Sequence, residues 1–236
     1  MKIYNLSSGS KANVTLVRCG DFNIVIDAGG TMKYIKESLA SLDLSVEDID
    51  IVLYTHFHTD HCAASKCFNG TPSYSFENLA YKEVTTFNDV NVLPFPLSHD
   101  EECLGFQIEY NNQKFTLISD TGYVKSEYLP IISESDYLYL EFNHDVSMLN
   151  NTNRPPYVKR RILSDKGHLN NVDAALVLVN TCDNLKELYV AHISDQANDV
   201  RCIQEVIEKV FNDYEKDITF DIKYTGFRKI TEGGNI

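Results

Sequence analysis

His56-Phe57-His58-Thr59-Asp60-His61 packs three imidazoles and a carboxylate into one short stretch. Directly before it stands Ile51-Val52-Leu53-Tyr54, an apolar run that reads as a buried strand. Imidazole and carboxylate together are the donor set of Zn, Mn and Fe sites. Four donors in one turn crowd a single ion. An i, i+2 pair followed by an adjacent Asp-His pair can instead diverge towards two. Two ions about 3.5–4 Å apart are a recurrent device for hydrolysing phosphate esters. The first expectation is therefore a metal-dependent hydrolase.

Working outward, residues 2–6, 13–18 and 22–26 are short runs rich in β-branched side chains and are predicted to be strands. A helix is predicted over 31–42, where Met32, Ile35, Leu39 and Leu42 share one face. Strands are expected to dominate from 90 to 142, with a hairpin turn at Asn111-Asn112. The last third reads as helix over 171–181, strand over 188–191, helix over 196–214 and strand over 217–224. That order suits two sheets with helices outside them. No repeat, low-complexity tract or linker interrupts it, so residues 1–236 are expected to form one domain.

Hydrophobic residues at 43% suffice for a core, and charged residues at 23% argue against disorder. The net charge of −13 disfavours a broad surface that coats nucleic acid, but it leaves room for a local basic groove. No C-x-x-C pair occurs among the six cysteines, which argues against a thiolate zinc knuckle. Reduced thiols in a cytoplasmic protein are expected, with Cys62 closest to the chemistry because it follows His61. Residues 1–17 lack the apolar run of a signal peptide, and no stretch of about 18 apolar residues offers a membrane span.

H-x-H-x-D-H after a short apolar strand resembles the signature of the metallo-β-lactamase superfamily. The lead-in Val46-Glu47-Asp48-Ile49-Asp50-Ile51-Val52-Leu53 looks like the usual approach to that turn. The remaining motifs follow in order. Asp27 matches the first motif aspartate, His99 the third-motif histidine, Asp120 the bridging aspartate and His192 the late histidine. The resemblance implies an α+β fold, a four-layer αββα sandwich, holding two divalent ions drawn from Zn, Mn or Fe. It implies His56, His58 and His99 on one ion and Asp60, His61 and His192 on the other. Asp120 and a water or hydroxide would bridge them, and Asp27 would support a ligand from behind. Asp60 and Asp120 set two negative charges against four positive ones, so such a site stays cationic and attracts a phosphodiester.

Three further strings narrow the resemblance: Leu6-Ser7-Ser8-Gly9-Ser10-Lys11-Ala12-Asn13, Glu141-Phe142-Asn143-His144-Asp145 and Gly167-His168-Leu169-Asn170-Asn171. They look like the YycJ/WalJ branch, which is related to tRNase Z and the phosphonate-pathway phosphodiesterase. The resemblance implies a phosphodiesterase or exonuclease acting on nucleic acid. His168 and His144 join Asp60 as candidate catalytic residues. His168 precedes a predicted helix N-cap, where backbone N–H groups can hold phosphate oxygens. It can contact the phosphate or protonate the leaving oxygen there, and merely capping the helix is an equal alternative. For His144 the alternative is an orienting network with Glu141 and Asp145. The segment 154–168 carries Arg154, Lys159, Arg160, Arg161 and Lys166 against one acid, Asp165. Arg160, Arg161 and Lys166 are candidate phosphate contacts, with a solvated loop as the bland alternative. The connection 62–72 is shorter than is usual in the superfamily, and it shapes the substrate mouth. Competing expectations are hydrolysis of a small ester, thioester or cyclic phosphodiester on the same scaffold, and non-catalytic metal or nucleic-acid binding. Against the last stands the filling of every ligand position.

Overall fold

The runs that flank the histidine turn build two mixed sheets in a computed structural model that describes residues 1–234. The first contains β1 (Lys2–Ser7), β2 (Val14–Cys19), β3 (Phe22–Ile26), β4 (Ile51–Leu53) and β5 (Ser73–Tyr74). The second contains β6 (Thr85–Phe87), β7 (Val90–Leu97), β8 (Cys103–Tyr110), β9 (Gln113–Ile118), β10 (Tyr137–Glu141), β11 (Glu187–Ala191) and β12 (Asp221–Tyr224), adjacent in that order. A last strand, β13 (Thr231–Gly234), returns to pair antiparallel with β1 at the outer edge of the first sheet. Asn111 and Asn112 have φ of 49° and 57°, the left-handed pair that a tight hairpin between β8 and β9 requires.

The α-helices are α1 (Met32–Ala40), α2 (Thr59–Cys62), α3 (Leu129–Ser133), α4 (Val146–Asn151), α5 (Pro156–Ile162), α6 (Asn171–Thr181) and α7 (Val200–Asp213). Alternation along the strands sorts side chains into layers between and outside the sheets. From β10, Tyr137 and Tyr139 face the first sheet and pack with Ile3, Val17, Ile24, Leu53, Phe106 and Phe115. Leu138 and Leu140 face the other way, onto Ala174 and Leu178 of α6 and Ile203, Ile207 and Phe211 of α7. On the outer face of the first sheet, Ile35 and Leu39 of α1 pack on Leu16, Val25 and Val52. The layers thus run helix, sheet, sheet, helix, the expected αββα sandwich. Each fully buried Leu, Ile, Val or Phe in them contributes about 1.5–3 kcal/mol.

Caps set the helix limits. Thr31 accepts from Tyr34 N, so α1 starts at Met32. Asp199 accepts from Cys202 N, so α7 starts at Val200 rather than at residue 196. Residues 154–168 are not one loop, because Pro156 at the first helical position opens α5. No helix among the described residues is long and apolar enough to cross a membrane.

Strand direction places the site. β3 and β4 run parallel, with Ile26 abreast of Leu53. β9, β10 and β11 run parallel, with Ile118, Leu140 and Val190 abreast. The residues just beyond these strand ends therefore emerge side by side. Asp27, Asp120 and His192 do so with left-handed backbones, at φ of 60°, 55° and 50°. Each such conformation costs a non-glycine residue about 1–3 kcal/mol and is tolerated where surrounding contacts over-determine it.

Candidate metal centre

The histidine turn is sewn to its neighbours through main-chain hydrogen bonds. Asn13 N donates to Asp60 O (2.8 Å), Ala28 N to His61 O (2.7 Å) and Ala64 N to Ala28 O (2.8 Å). Gly29 lies against this seam, and a Cβ there would overlap the Asp60 carbonyl oxygen. Backbone sits on both sides, so neither can yield cheaply. Gly29→Ala is expected to destabilise the chain by about 3 kcal/mol, the upper range for overpacking. It should also lower metal content by tilting Asp60 and His61. A melting temperature and metal stoichiometry equal to wild type would contradict this.

Four of the five candidate-ligand imidazoles are held by Nδ1. His61 Nδ1 pairs with Asp27 Oδ2 at 2.7 Å, and Asp27 is itself fixed by Thr55 N (2.9 Å) and Thr55 Oγ1. His192 Nδ1 pairs with Glu141 Oε1 at 2.8 Å. His99 Nδ1 lies 3.3 Å from the Gly167 carbonyl, and His56 Nδ1 lies 3.0 Å from Thr55 Oγ1. A partner on one ring nitrogen fixes the tautomer and leaves the other nitrogen as a donor to a metal. His58 is reversed: its Nε2 faces Asp100 and Glu101, each at 3.5 Å, and its Nδ1 turns inward.

The inward atoms form two clusters. His56 Nε2 and His58 Nδ1 are 3.0 Å apart, and His58 Nδ1 and His99 Nε2 are 3.3 Å apart. Asp60 Oδ2 lies 3.6 Å from His61 Nε2 and 3.9 Å from His192 Nε2. Asp120 stands between the clusters, with Oδ2 3.1 Å from His61 Nε2 and Oδ1 3.6 Å from His192 Nε2. His192 Nε2 is fully buried and has no hydrogen-bond partner among the described residues. Two donors each about 2.1 Å from a tetrahedral ion lie roughly 3.4 Å apart, so these separations fit shared divalent cations.

Electrostatics agree with that fit. Burial and the nearby His61 push His56 down to about 2, which keeps it the neutral imidazole a metal needs. Burial alone would also lower His192, but Asp120, Asp60 and Glu141 outweigh it and raise His192 to about 10. His61 goes well above its ordinary value in the same way, with Asp27 and Asp120 overcoming burial. Burial opposes ionisation of Asp120 too, yet His192 and His61 hold it well below the carboxylate range. The carboxylates thus create a place for positive charge that divalent ions can take over from protons.

All seven residues expected as ligands lie at these clusters, and Asp27 sits behind His61. His168 lines the same cavity, its Nδ1 2.8 Å from Glu141 Oε1 and 3.4 Å from Asp120 Oδ1. The helix behind it offers no open N–H cradle, because Asn170 Oδ1 already accepts from Val172 N and Asp173 N. His144 lies outside the clusters and the cavity lining. Its expected network is used elsewhere: Glu141 binds His168 and His192, and Asp145 caps α4 through Met148 N. Of the candidate phosphate contacts, Arg161 lines the cavity and Arg160 and Lys166 do not. For Arg160 the reason is helical spacing, since Val158, Arg161 and Ile162 share the inward face of α5, whereas Lys166 lies beyond the helix at a neighbouring cavity. Arg154, at the approach to α5, joins that lining. Cys62 stays out of the metal clusters, its thiol facing the Phe57 carbonyl.

Sequence reasoning missed the roles of Glu141 and Asn13. Asn13 Nδ2 lies 2.8 Å from His61 Nε2 and 3.3 Å from Asp60 Oδ2. Alternation carries Glu141 on the Tyr137, Tyr139 face to the strand end, but its partners are distant in sequence.

Residues 8–67 match the Metallo-beta-lactamase superfamily profile. Fold, motif order and site define the chain as a member of that superfamily. Its relatives narrow the class. The "Exodeoxyribonuclease YycJ" of Bacillus anthracis is 33% identical over 213 residues, covering 80% of this chain and 81% of the relative. The "Exodeoxyribonuclease WalJ" of Streptococcus pneumoniae serotype 2 is 31% identical over 219 residues, covering 82% and 81%. Within the superfamily, then, the chain belongs to the YycJ/WalJ family. Solved structures share the fold at lower identity. YhfI from Bacillus subtilis superposes with a TM-score of 0.74 at 16% identity over 98% of both chains. The short form of human tRNase Z gives 0.65 at 14% identity, again over 98% of both.

Proposed function

We propose that the chain is a two-metal-dependent phosphodiesterase that removes nucleotides from nucleic acid, DNA being favoured by its exodeoxyribonuclease relatives. The observation that carries this reading is the set of imidazoles held by one nitrogen and converging by the other around Asp60 and Asp120. Residues 1–236 are read as one catalytic unit acting in the cytoplasm. Zn and Mn suit the nitrogen and oxygen donors best, with Fe third.

Bound ions would supply Lewis acidity and a water of lowered pKa. The chain's own groups do the rest. Asp120 holds negative charge between the clusters and Asp60 within the second. Arg154 and Arg161 line the cavity and meet the phosphate from the α5 side. His168, fixed through Nδ1 by Glu141, has Nε2 left to contact a phosphate oxygen or to give a proton to the leaving oxygen.

Metal analysis of purified protein, then chelation and reconstitution with Zn, Mn or Fe, tests the reading. Two ions per chain are expected. Chelation should lower cleavage of 5′-phosphorylated single-stranded DNA by about a thousandfold or more, and the right metal should restore it. Fewer than one restorable ion per chain would remove the two-metal site. Hydrolysis of an acyl thioester with DNA left intact would replace the phosphodiesterase reading.

A further inference from the structure

The cavity above the metal centre has a basic wall, with an acidic turn just outside it. Arg154, Val158, Arg161 and Ile162 line it from the α5 side. Beside it the turn after β7 exposes Asp100, Glu101 and Glu102 in succession, and Asp100 Oδ2 pairs with Arg161 Nη1 at 2.9 Å. A polyanion leaving this cavity is repelled by the acidic turn and drawn across α5. The cavity measures about 230 Å3, below the roughly 300–1,000 Å3 of pockets that enclose a drug-sized ligand. It therefore takes the end of a strand and leaves the rest outside.

The surface of α5 shows where that remainder lies. At 3.6 residues per turn, Arg161 stands about 60° from the inward Val158, Tyr157 about 100° and Arg160 about 160°, all to the same side. They form a strip leading out of the cavity. Tyr157 is 67% exposed, large for an aromatic ring, and neither it nor Arg160 has a hydrogen-bond or ion-pair partner among the described residues. Lys159 lies on the opposite flank, with Nζ bonded to Asn150 O and Thr152 O, so it is outside the strip. An exposed ring flanked by the unpaired Arg160 and by Arg161, whose Nη1 also holds Asp100, combines the two elements that bind single strands: a π-face for a base and cations for the backbone.

We propose that Arg161, Tyr157 and Arg160 form the track for an unpaired nucleic-acid strand whose end occupies the cavity, with a base stacked on Tyr157. The proposal rests on the nucleic-acid reading above. Paired bases present no free face to a ring beside the helix, so the substrate end is single-stranded.

The test measures Tyr157→Ala and Tyr157→Phe against wild type. One readout is binding of a short fluorescein-labelled single-stranded DNA by anisotropy. The other is the ratio of kcat/KM for that DNA to kcat/KM for bis(p-nitrophenyl) phosphate, which has no base. Tyr157→Ala should weaken DNA binding about five-fold or more and lower the ratio by a similar factor, and Tyr157→Phe should restore both. If Tyr157→Ala binds like wild type, or loses both substrates equally, the track is wrong while the phosphodiesterase reading stands. If wild type hydrolyses the aryl diester yet neither binds nor cleaves DNA, the nucleic-acid reading and the track fall together.

Discussion

Asp120→Asn is expected to lower hydrolysis by about a thousandfold or more while leaving the fold in place. Asparagine keeps the volume and the Ser119 hydroxyl contact, which lies 2.8 Å from Oδ2. It removes the one charge that faces His61 (3.1 Å), His168 (3.4 Å) and His192 (3.6 Å) together. A carboxylate between two ions screens their mutual repulsion, so its loss acts on both. Forfeiting about 4 kcal/mol of electrostatic stabilisation corresponds to a factor of a thousand in rate. Metal content should fall from two ions per chain to one or fewer, and melting should shift by only a few degrees. An Asp120→Asn protein that keeps two ions and wild-type turnover would show that the two clusters do not share this residue.

The residues that could be found from sequence were those whose chemistry is local. The histidine turn announces itself because its donors are adjacent. Asp27, His99, Asp120 and His192 were legible because each follows an apolar strand, and parallel strands deliver their ends to one rim. The sandwich was legible for the same reason, since alternation in β10 already separates Tyr137 and Tyr139 from Leu138 and Leu140. What was hidden depends on contacts distant in sequence. Arg154, Arg160, Arg161 and Lys166 look equivalent in a basic segment; the helical phase of α5 separates Arg161 from Arg160, and the turns on either side of the helix place Arg154 and Lys166. Lys166 ends beside Asp100 and Glu101 at a neighbouring cavity. β13 has no strand signature in Thr231-Glu232-Gly233-Gly234, and it exists because β1 offers an edge to pair with. Glu141 reads in sequence as a partner of the nearby His144, whereas its true partners lie 27 and 51 residues downstream.

Glu141 carries the other large expected effect, and two substitutions separate its duties. Its carboxylate is fully buried. It accepts from Thr121 N at 3.1 Å and Leu169 N at 3.3 Å, and it pairs with the Nδ1 atoms of His168 and His192, both at 2.8 Å. Burial alone would raise it, but the two histidines hold it ionised at about 2. Glu141→Ala strands these buried donors and is expected to destabilise the chain by about 3–5 kcal/mol. For a chain of this size that corresponds to a melting shift of roughly 6–20 °C. Glu141→Gln is milder for the fold, because the amide oxygen can still accept from the two backbone N–H groups. Its NH2 then faces the imidazoles and must donate, so His192 Nδ1 becomes an acceptor and the ring proton moves to Nε2. That is the nitrogen directed at Asp60 and Asp120, and a protonated Nε2 cannot ligate. Glu141→Gln should therefore melt within a few degrees of wild type yet bind the second ion about a hundredfold more weakly, the upper range for a group that orients a ligand. Titration with Zn or Mn by calorimetry reads this directly. Equal affinity for both ions in Glu141→Gln would mean that His192 is aimed by the fold alone and that Glu141 serves stability only.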